Sequence, residues 1–203
     1  MGAERWRLFV ALDIPEQVRD FIRDATSELR GEIAGARWVS PRNLHLTLKF
    51  IGEFEVSGME RLEREVLAAA RGSAPFTAAL GGCGAFPGAG RARVIWVGMR
   101  QGEKEASTLA RRLESRLEKA GVKREERPFR GHLTLARMRH PVDCAALLDA
   151  LGDRLAGLEE MSFPVDEATL YRSILGPQGP DYRPLLRAAL GGKEDDADRM
   201  DGR

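Results

Sequence analysis

The sequence predicts a two-lobed fold of strands and helices in which one strand–helix–strand–helix–strand unit is built twice. Two observations carry this. His45-Leu46-Thr47-Leu48 recurs 87 residues later as His132-Leu133-Thr134-Leu135. Flanking landmarks keep step: Arg7-Leu8-Phe9-Val10-Ala11 is answered by Arg93-Val94-Ile95-Trp96-Val97, and apolar runs open at Phe76 and Phe163, each 31 residues after a repeat histidine. Landmarks in register over so long a period mark a duplicated unit, here about residues 7–84 and 93–171. A unit of this grammar makes a sheet with helices packed outside it.

Each unit opens with an apolar run that reads as a buried strand, Leu8 to Leu12 and Val94 to Met99. A charged stretch with helical apolar spacing follows. In the first unit it runs from Pro15 to Ile33, with Val18, Phe21, Ile22, Ala25 and Leu29 on one face. In the second it runs from Glu103 to Ala120, with Leu109, Leu113 and Leu117 on one face. Pro15 suits a helix start, and Gly31, Gly35 and Gly121 mark helix ends or the loops after them. The His-Leu-Thr-Leu strand comes next. A second helix follows, over Ser57 to Arg71 and over Asp143 to Leu155. Each unit closes with a strand, Phe76 to Gly82 and Ser162 to Tyr171. The glycine-rich stretch Gly81 to Gly90 is expected to be a linker or hairpin, since it lacks the ending of a phosphate loop. Leu175 to Tyr182 reads as a rigid loop.

The chain of 203 residues is expected to form one bilobal domain over 1–190, with 191–203 as a disordered polar tail. With 43% hydrophobic residues it is globular. Lys plus Arg number 32 and Asp plus Glu 31, for a net charge of +1. That argues against a bulk electrostatic clamp for long duplexes and leaves room for a local basic cleft. Cys83 and Cys144 have no CxxC spacing, so neither a disulfide scaffold nor a zinc ribbon is supported. No run has the length of a signal-peptide core or a membrane span. The expected address is the cytoplasm, away from membranes, with both thiols reduced.

Alternation along a strand puts His45 and Thr47 on one face and Leu46 and Leu48 on the other; the same holds for His132, Thr134, Leu133 and Leu135. If the lobes face each other, the two His-Thr pairs meet across one cleft. Two imidazoles titrating near neutrality supply a general acid and a general base. Two threonine hydroxyls can donate to the non-bridging oxygens of a phosphate. No acidic cluster accompanies either motif, no GxSxG nucleophile is present, and threonine is a rare metal ligand; no metal and no cofactor are expected. The pattern fits metal-free phosphodiester cleavage. A single His-x-Thr would be packing more often than chemistry; two of the chain's three histidines at equivalent positions point to function. His140 reads as surface.

These words resemble the 2H phosphoesterase superfamily, and in it the RNA 2′,3′-cyclic phosphodiesterases, also called 2′-5′ RNA ligases. The resemblance runs from Arg7 to about Leu186 and rests on Arg7 to Leu12, Asn43 to Gly52, Gly84 to Pro87, Arg93 to Gly98, Arg127 to Phe129 leading into His132 to Arg137, and Tyr171 to Ser173. Gly131 stands where the family leads one to expect proline. The resemblance implies a bilobal α+β fold with mainly antiparallel sheets lining a central cleft. It implies hydrolysis of a 2′,3′-cyclic phosphate on RNA ends or small oligoribonucleotides to a 2′-phosphate; the protein is expected to be a monomer. His45 would protonate the leaving 3′ oxygen, His132 would activate water, and Thr47 and Thr134 would hold the phosphate. Either order of the histidines is compatible with a near-symmetric site.

Arg137 stands where the family places a phosphate-contacting arginine. Strict alternation puts it on the face opposite His132, so it reaches the cleft only if the strand ends or bulges near Ala136. Lys49 shares the face of His45 by the same count. Phe9, Trp38, Phe129 and Tyr182 could stack a base or simply pack. Two other readings stand beside hydrolysis: ligation to a 2′-5′ linkage, the reverse transfer, and an RNA-end-binding module without turnover.

Overall fold

The computed structural model describes residues 3–31, 35–177 and 179–192; the tail expected over 191–203 lies outside the described residues from Lys193 on. Strand β1 (Arg5–Asp13) leads into helix α1 (Glu16–Thr26), then β2 (Ala36–Trp38), β3 (His45–Glu55), α2 (Met59–Arg71) and β4 (Phe76–Phe86). The second half runs β5 (Ala92–Gln101), α3 (Glu103–Lys119), β6 (His132–Val142), α4 (Ala145–Arg154), β7 (Phe163–Val165), β8 (Glu167–Gly176) and β9 (Gly179–Ala189). The elements alternate as the duplication predicts, and β3 and β6, which carry the repeated motif, have 11 residues each.

The strands form one curled antiparallel sheet in the order β7-β4-β5-β6-β3-β1-β8-β9, with β2 against β6. Both lobes are parts of this α+β sheet. They join where β3 meets β6 through the pair Leu46–Leu133. The sequence repeats are not the spatial lobes. β4, which closes the first unit, pairs with β5 of the second, and β8 of the second pairs with β1 of the first. The helices cross over too: α3 packs on β3 and α2 on β8 and β9, while α4 packs on β4 and α1 on α4. Leu8, Leu46, Leu80, Leu113, Leu133 and Leu170 belong to one continuous apolar core. In this exchange each unit's closing strand pairs with the other unit's opening strand and is covered by the other unit's second helix.

One sequence expectation is narrowed and two are corrected. Of linker and hairpin, the glycine-rich stretch is the hairpin: it continues β4 as far as Phe86 and turns back into β5. Gly84 lies under the indole of Trp96, where a Cβ would stand 2.4 Å from a ring atom, so this strand position has no room for a side chain. The region read as a loop over 175–182 is mostly paired strand, with Leu175 opposite Pro180 and Gly176 opposite Gly179 where β8 meets β9. Alternation also fails within both motif strands. Val10 faces Lys49 and Ala11 faces Thr47, leaving Leu48 as an extra residue. Ile95 faces Ala136 and Trp96 faces Thr134, leaving Leu135 as an extra residue. Each motif strand therefore carries a β-bulge at the same repeat position.

Candidate active site

The bulges decide which side chains reach the open face of the sheet. Leu46, Leu48, Leu133 and Leu135 are buried in the core, so His45, Thr47, His132 and Thr134 project to the opposite, helix-free face. Around the Leu46–Leu133 pair the antiparallel run brings His45 alongside Thr134 and Thr47 alongside His132. All four sequence-predicted residues thus meet at the seam between the lobes, each half-buried.

Beyond each bulge the parity flips. Lys49 turns inward, 4% exposed, and pairs with Glu114 of α3 at 2.7 Å and with the Lys123 carbonyl at 2.7 Å. It does not share the face of His45, as strict alternation implied. Arg137, after the second bulge, turns outward and is exposed. Its charge is felt at His45 and at Tyr182. The first unit places Phe50 at the position equivalent to Arg137, and its ring is 60% exposed. The two ends of the site therefore differ: an arginine beyond Thr134, a phenylalanine beyond Thr47.

The two imidazoles are oriented alike. His45 Nδ1 lies 2.7 Å from the carbonyl oxygen of Asn43, and His132 Nδ1 lies 2.8 Å from that of Arg130. A carbonyl only accepts, so Nδ1 carries the hydrogen in both rings and Nε2 is left to exchange a proton over the sheet face. Asn43 is itself anchored, its side-chain amide donating to the Pro180 carbonyl of β9 at 2.8 Å. Gly131, between the Arg130 carbonyl and His132, packs on Met99; a Cβ there would stand 2.5 Å from the sulfur.

Aromatic rings wall the site. Phe9 lies 4.9 Å from the His45 ring and stacks on Tyr171 at 5.2 Å; Tyr182 meets His45 edge-on at 5.2 Å. On the other side Phe86 meets His132 edge-on at 5.1 Å, with Trp96 6.5 Å away. Of the rings named as possible stackers, Trp38 is on the core side of β2 and Phe129 packs against the core.

The histidines differ in electrostatic setting. Asp13 faces His45 across the β1–β3 ladder, whereas Gly98 faces His132. Asp13 accepts hydrogen bonds from Thr169 Oγ1 at 2.9 Å and from the Tyr171 hydroxyl, and Arg187 lies at 3.3 Å. Burial pushes the His45 imidazole below its ordinary value. The Asn43 hydrogen bond and the Asp13 charge oppose that shift, and the charges of Arg137 and His132 reinforce it. Asp13 was not legible as a site residue because it stands 32 residues from His45 in sequence and has no motif around it. Among the described residues no three His, Cys, Asp or Glu side chains cluster as metal ligands. A separate concavity of about 370 Å³ between α2 and α3 is lined by Arg71, Arg112 and Arg116 and lies on the helical side of the sheet.

Residues 14–176 match the model of the 2′-5′ RNA ligase superfamily. The chain belongs to that family. An RNA 2′,3′-cyclic phosphodiesterase of Methanothermobacter thermautotrophicus is 36% identical over 176 residues, covering 87% of this chain and 94% of that protein. A protein of Thermus thermophilus known from its crystal structure superposes with a TM-score of 0.75 at 32% identity, over 93% of this chain and 100% of the other. Escherichia coli LigT complexed with 3′-AMP superposes with a TM-score of 0.73 at 31% identity, over 93% and 100% of the two chains. The antiparallel α+β fold expected of this superfamily is the fold observed. No described helix is long and apolar enough to cross a membrane.

Proposed function

We propose that this member of the superfamily hydrolyses 2′,3′-cyclic phosphate ends of RNA to 2′-phosphates, with His45 as general acid and His132 as general base. The observation that carries this reading is the matched pair of Nδ1-tethered imidazoles on adjoining strands, each with a threonine hydroxyl across the seam. The cyclic phosphate sits between the four side chains. His132 Nε2 takes a proton from water as the water oxygen bonds to phosphorus. The P–O3′ bond breaks, and His45 Nε2–H delivers its proton to the leaving 3′ oxygen. Thr47, Thr134 and Arg137 donate to the non-bridging oxygens, where charge builds in the transition state.

One feature supports this division of labour, the Asp13 carboxylate beside His45. The acid must be protonated before the reaction, and the carboxylate lies on the His45 side. In the free protein burial and the charge of Arg137 work against that proton. A bound phosphate anion offsets the arginine's charge, so substrate binding itself loads the acid. The name of the family covers a ligase as well. The same groups run the reverse transfer, with a nucleotide hydroxyl replacing water. Incubating the protein with a cyclic-phosphate-ended RNA, with and without a 5′-hydroxyl RNA, tests the reading. A 2′-phosphate product supports it, a joined 2′-5′ product favours ligation, and binding without turnover favours an end-binding module.

A further inference from the structure

A second arginine, Arg37, stands beside Arg137 on the same face. β2 lies antiparallel to β6 with Arg37 directly opposite Arg137, between the pairs Ala36–Met138 and Trp38–Ala136. Residues directly opposite in an antiparallel pair project to the same side, with Cβ atoms about 5 Å apart. Ala36 and Trp38 pack against the core, so Arg37 points away from it, and it is exposed. Neither guanidinium is ion-paired with a carboxylate among the described residues. Like charges directly opposite destabilise a sheet. Here the juxtaposition is built in twice over: the Leu135 bulge turns Arg137 outward, and the pairing of β2 brings Arg37 to it.

The pair is placed in line with the His-Thr quartet. With the bulge discounted, Arg137 is two ladder steps beyond Thr134, roughly 7 Å along the strand, comparable to the spacing of neighbouring phosphates in an extended nucleic-acid strand. The other end of the quartet offers Phe50 and no arginine at the equivalent position. An RNA strand lying along the site would therefore keep its next phosphodiester at the arginine end.

We propose that Arg37 forms a second phosphate subsite that binds the phosphodiester adjoining the reacting cyclic phosphate, with Arg137 bridging the two phosphates, so that the protein favours cyclic-phosphate-ended oligoribonucleotides over 2′,3′-cyclic mononucleotides. The proposal rests on the hydrolase reading for its reacting phosphate. It assigns Arg37 a binding role in strand recognition and no role in proton transfer. A mononucleotide lacks the phosphodiester that Arg37 would meet and is indifferent to it.

The test compares wild type, Arg37→Gln and Arg37→Lys on a 2′,3′-cyclic mononucleotide and on a dinucleotide ending in the same cyclic phosphate. Binding of a non-hydrolysed dinucleotide 3′-phosphate is measured in parallel by calorimetry at two salt concentrations. Arg37→Gln is expected to lower kcat/KM on the dinucleotide about tenfold, mainly through KM, and to change mononucleotide hydrolysis less than about twofold. Dinucleotide binding should weaken by a similar factor with a shallower salt dependence, and Arg37→Lys should recover part of the loss. The melting temperature should hold or rise, because a like-charge contact is relieved. Equal effects on both substrates, or unchanged dinucleotide binding, overturn the subsite. If wild type turns over neither substrate, the hydrolase reading fails, and the calorimetry still decides whether Arg37 holds a phosphodiester.

Discussion

Replacing Lys49 with alanine separates the bulged strand from a regular one. In a regular strand Lys49 would flank His45 over the cleft, and its loss would weaken phosphate binding at little cost in stability. In the bulged strand it is an internal strut. Its side chain has 3% of its surface exposed and that of Glu114 16%, and it donates to both the Glu114 carboxylate and the Lys123 carbonyl. Glu114 also accepts from the Glu125 backbone N–H at 3.1 Å, so the strut ties β3 to α3 and to the segment that leads into His132. Removing one partner of a buried pair costs roughly 3–5 kcal/mol, because the other charge is stranded. Glu114 keeps one backbone donor and some solvent, so about 2–3 kcal/mol is expected for Lys49→Ala. Replacing both partners, as Lys49→Met with Glu114→Leu, should recover most of that loss. Urea unfolding gives the stability, and hydrolysis of a 2′,3′-cyclic nucleotide per folded molecule gives the activity. Activity within about twofold of wild type is expected. A stability loss under about 1 kcal/mol together with a roughly tenfold fall in kcat/KM would refute the inward orientation of Lys49.

Three other outcomes follow from the site. His45 should titrate below its ordinary value of about 6.5 in the free protein and at a higher pH once inorganic phosphate is bound, because burial lowers its pKa and an anion offsets the charge of Arg137; an NMR titration in which phosphate leaves it unmoved, or lowers it, would contradict this. By the same sign, kcat/KM, which reports the free enzyme, should decline with rising pH through the depressed pKa of the acid, and the matching limb of kcat should lie at higher pH. Gly84→Val should displace the Trp96 ring, which a Cβ would meet at 2.4 Å; a roughly tenfold or greater loss of activity is expected, and unchanged kinetics would show that Trp96 does not shape the His132 side. Phe50→Ala should raise KM severalfold with little change in kcat if a base lies on the exposed ring, since stacking is worth roughly 1–3 kcal/mol; an unchanged KM would remove Phe50 from the site.

The chain wrote its duplication plainly and its wiring poorly. His-Leu-Thr-Leu shows a period of two on each side of the sheet seam, and the faces of the four site residues follow directly from it. The amphipathic helices were legible for the same reason, since Val18, Ile22, Leu109, Leu113 and Leu117 all reach the core. The choice of neighbour for β4 and β8 was not legible, because an apolar strand records that it is covered and not by which partner. β2 has only 3 residues, too few for a period to show, so Arg37 escaped notice. β9 sits at the sheet edge, and Gly179-Pro180 at its start made that end look like loop. The bulges were the costliest omission. One extra residue at Leu48 and one at Leu135 exchanged the faces of the residues that follow directly, taking Lys49 out of the cleft and putting Phe50 and Arg137 in it.

The paired acid–base assignment is tested most directly by single-turnover hydrolysis of an RNA ending in a 2′,3′-cyclic phosphate, in the presence of EDTA. Wild type, His45→Ala, His132→Ala and the double variant are compared, and the position of the phosphate in the product is assigned. Wild type should yield the 2′-phosphate without added metal. Each single variant should be slower by roughly 10²–10⁴-fold, and the double variant should be little slower than the worse single one, because the two groups act in one transition state. Near-wild-type rates in either single variant, a 3′-phosphate product, or activity that returns only with a divalent ion would contradict the assignment.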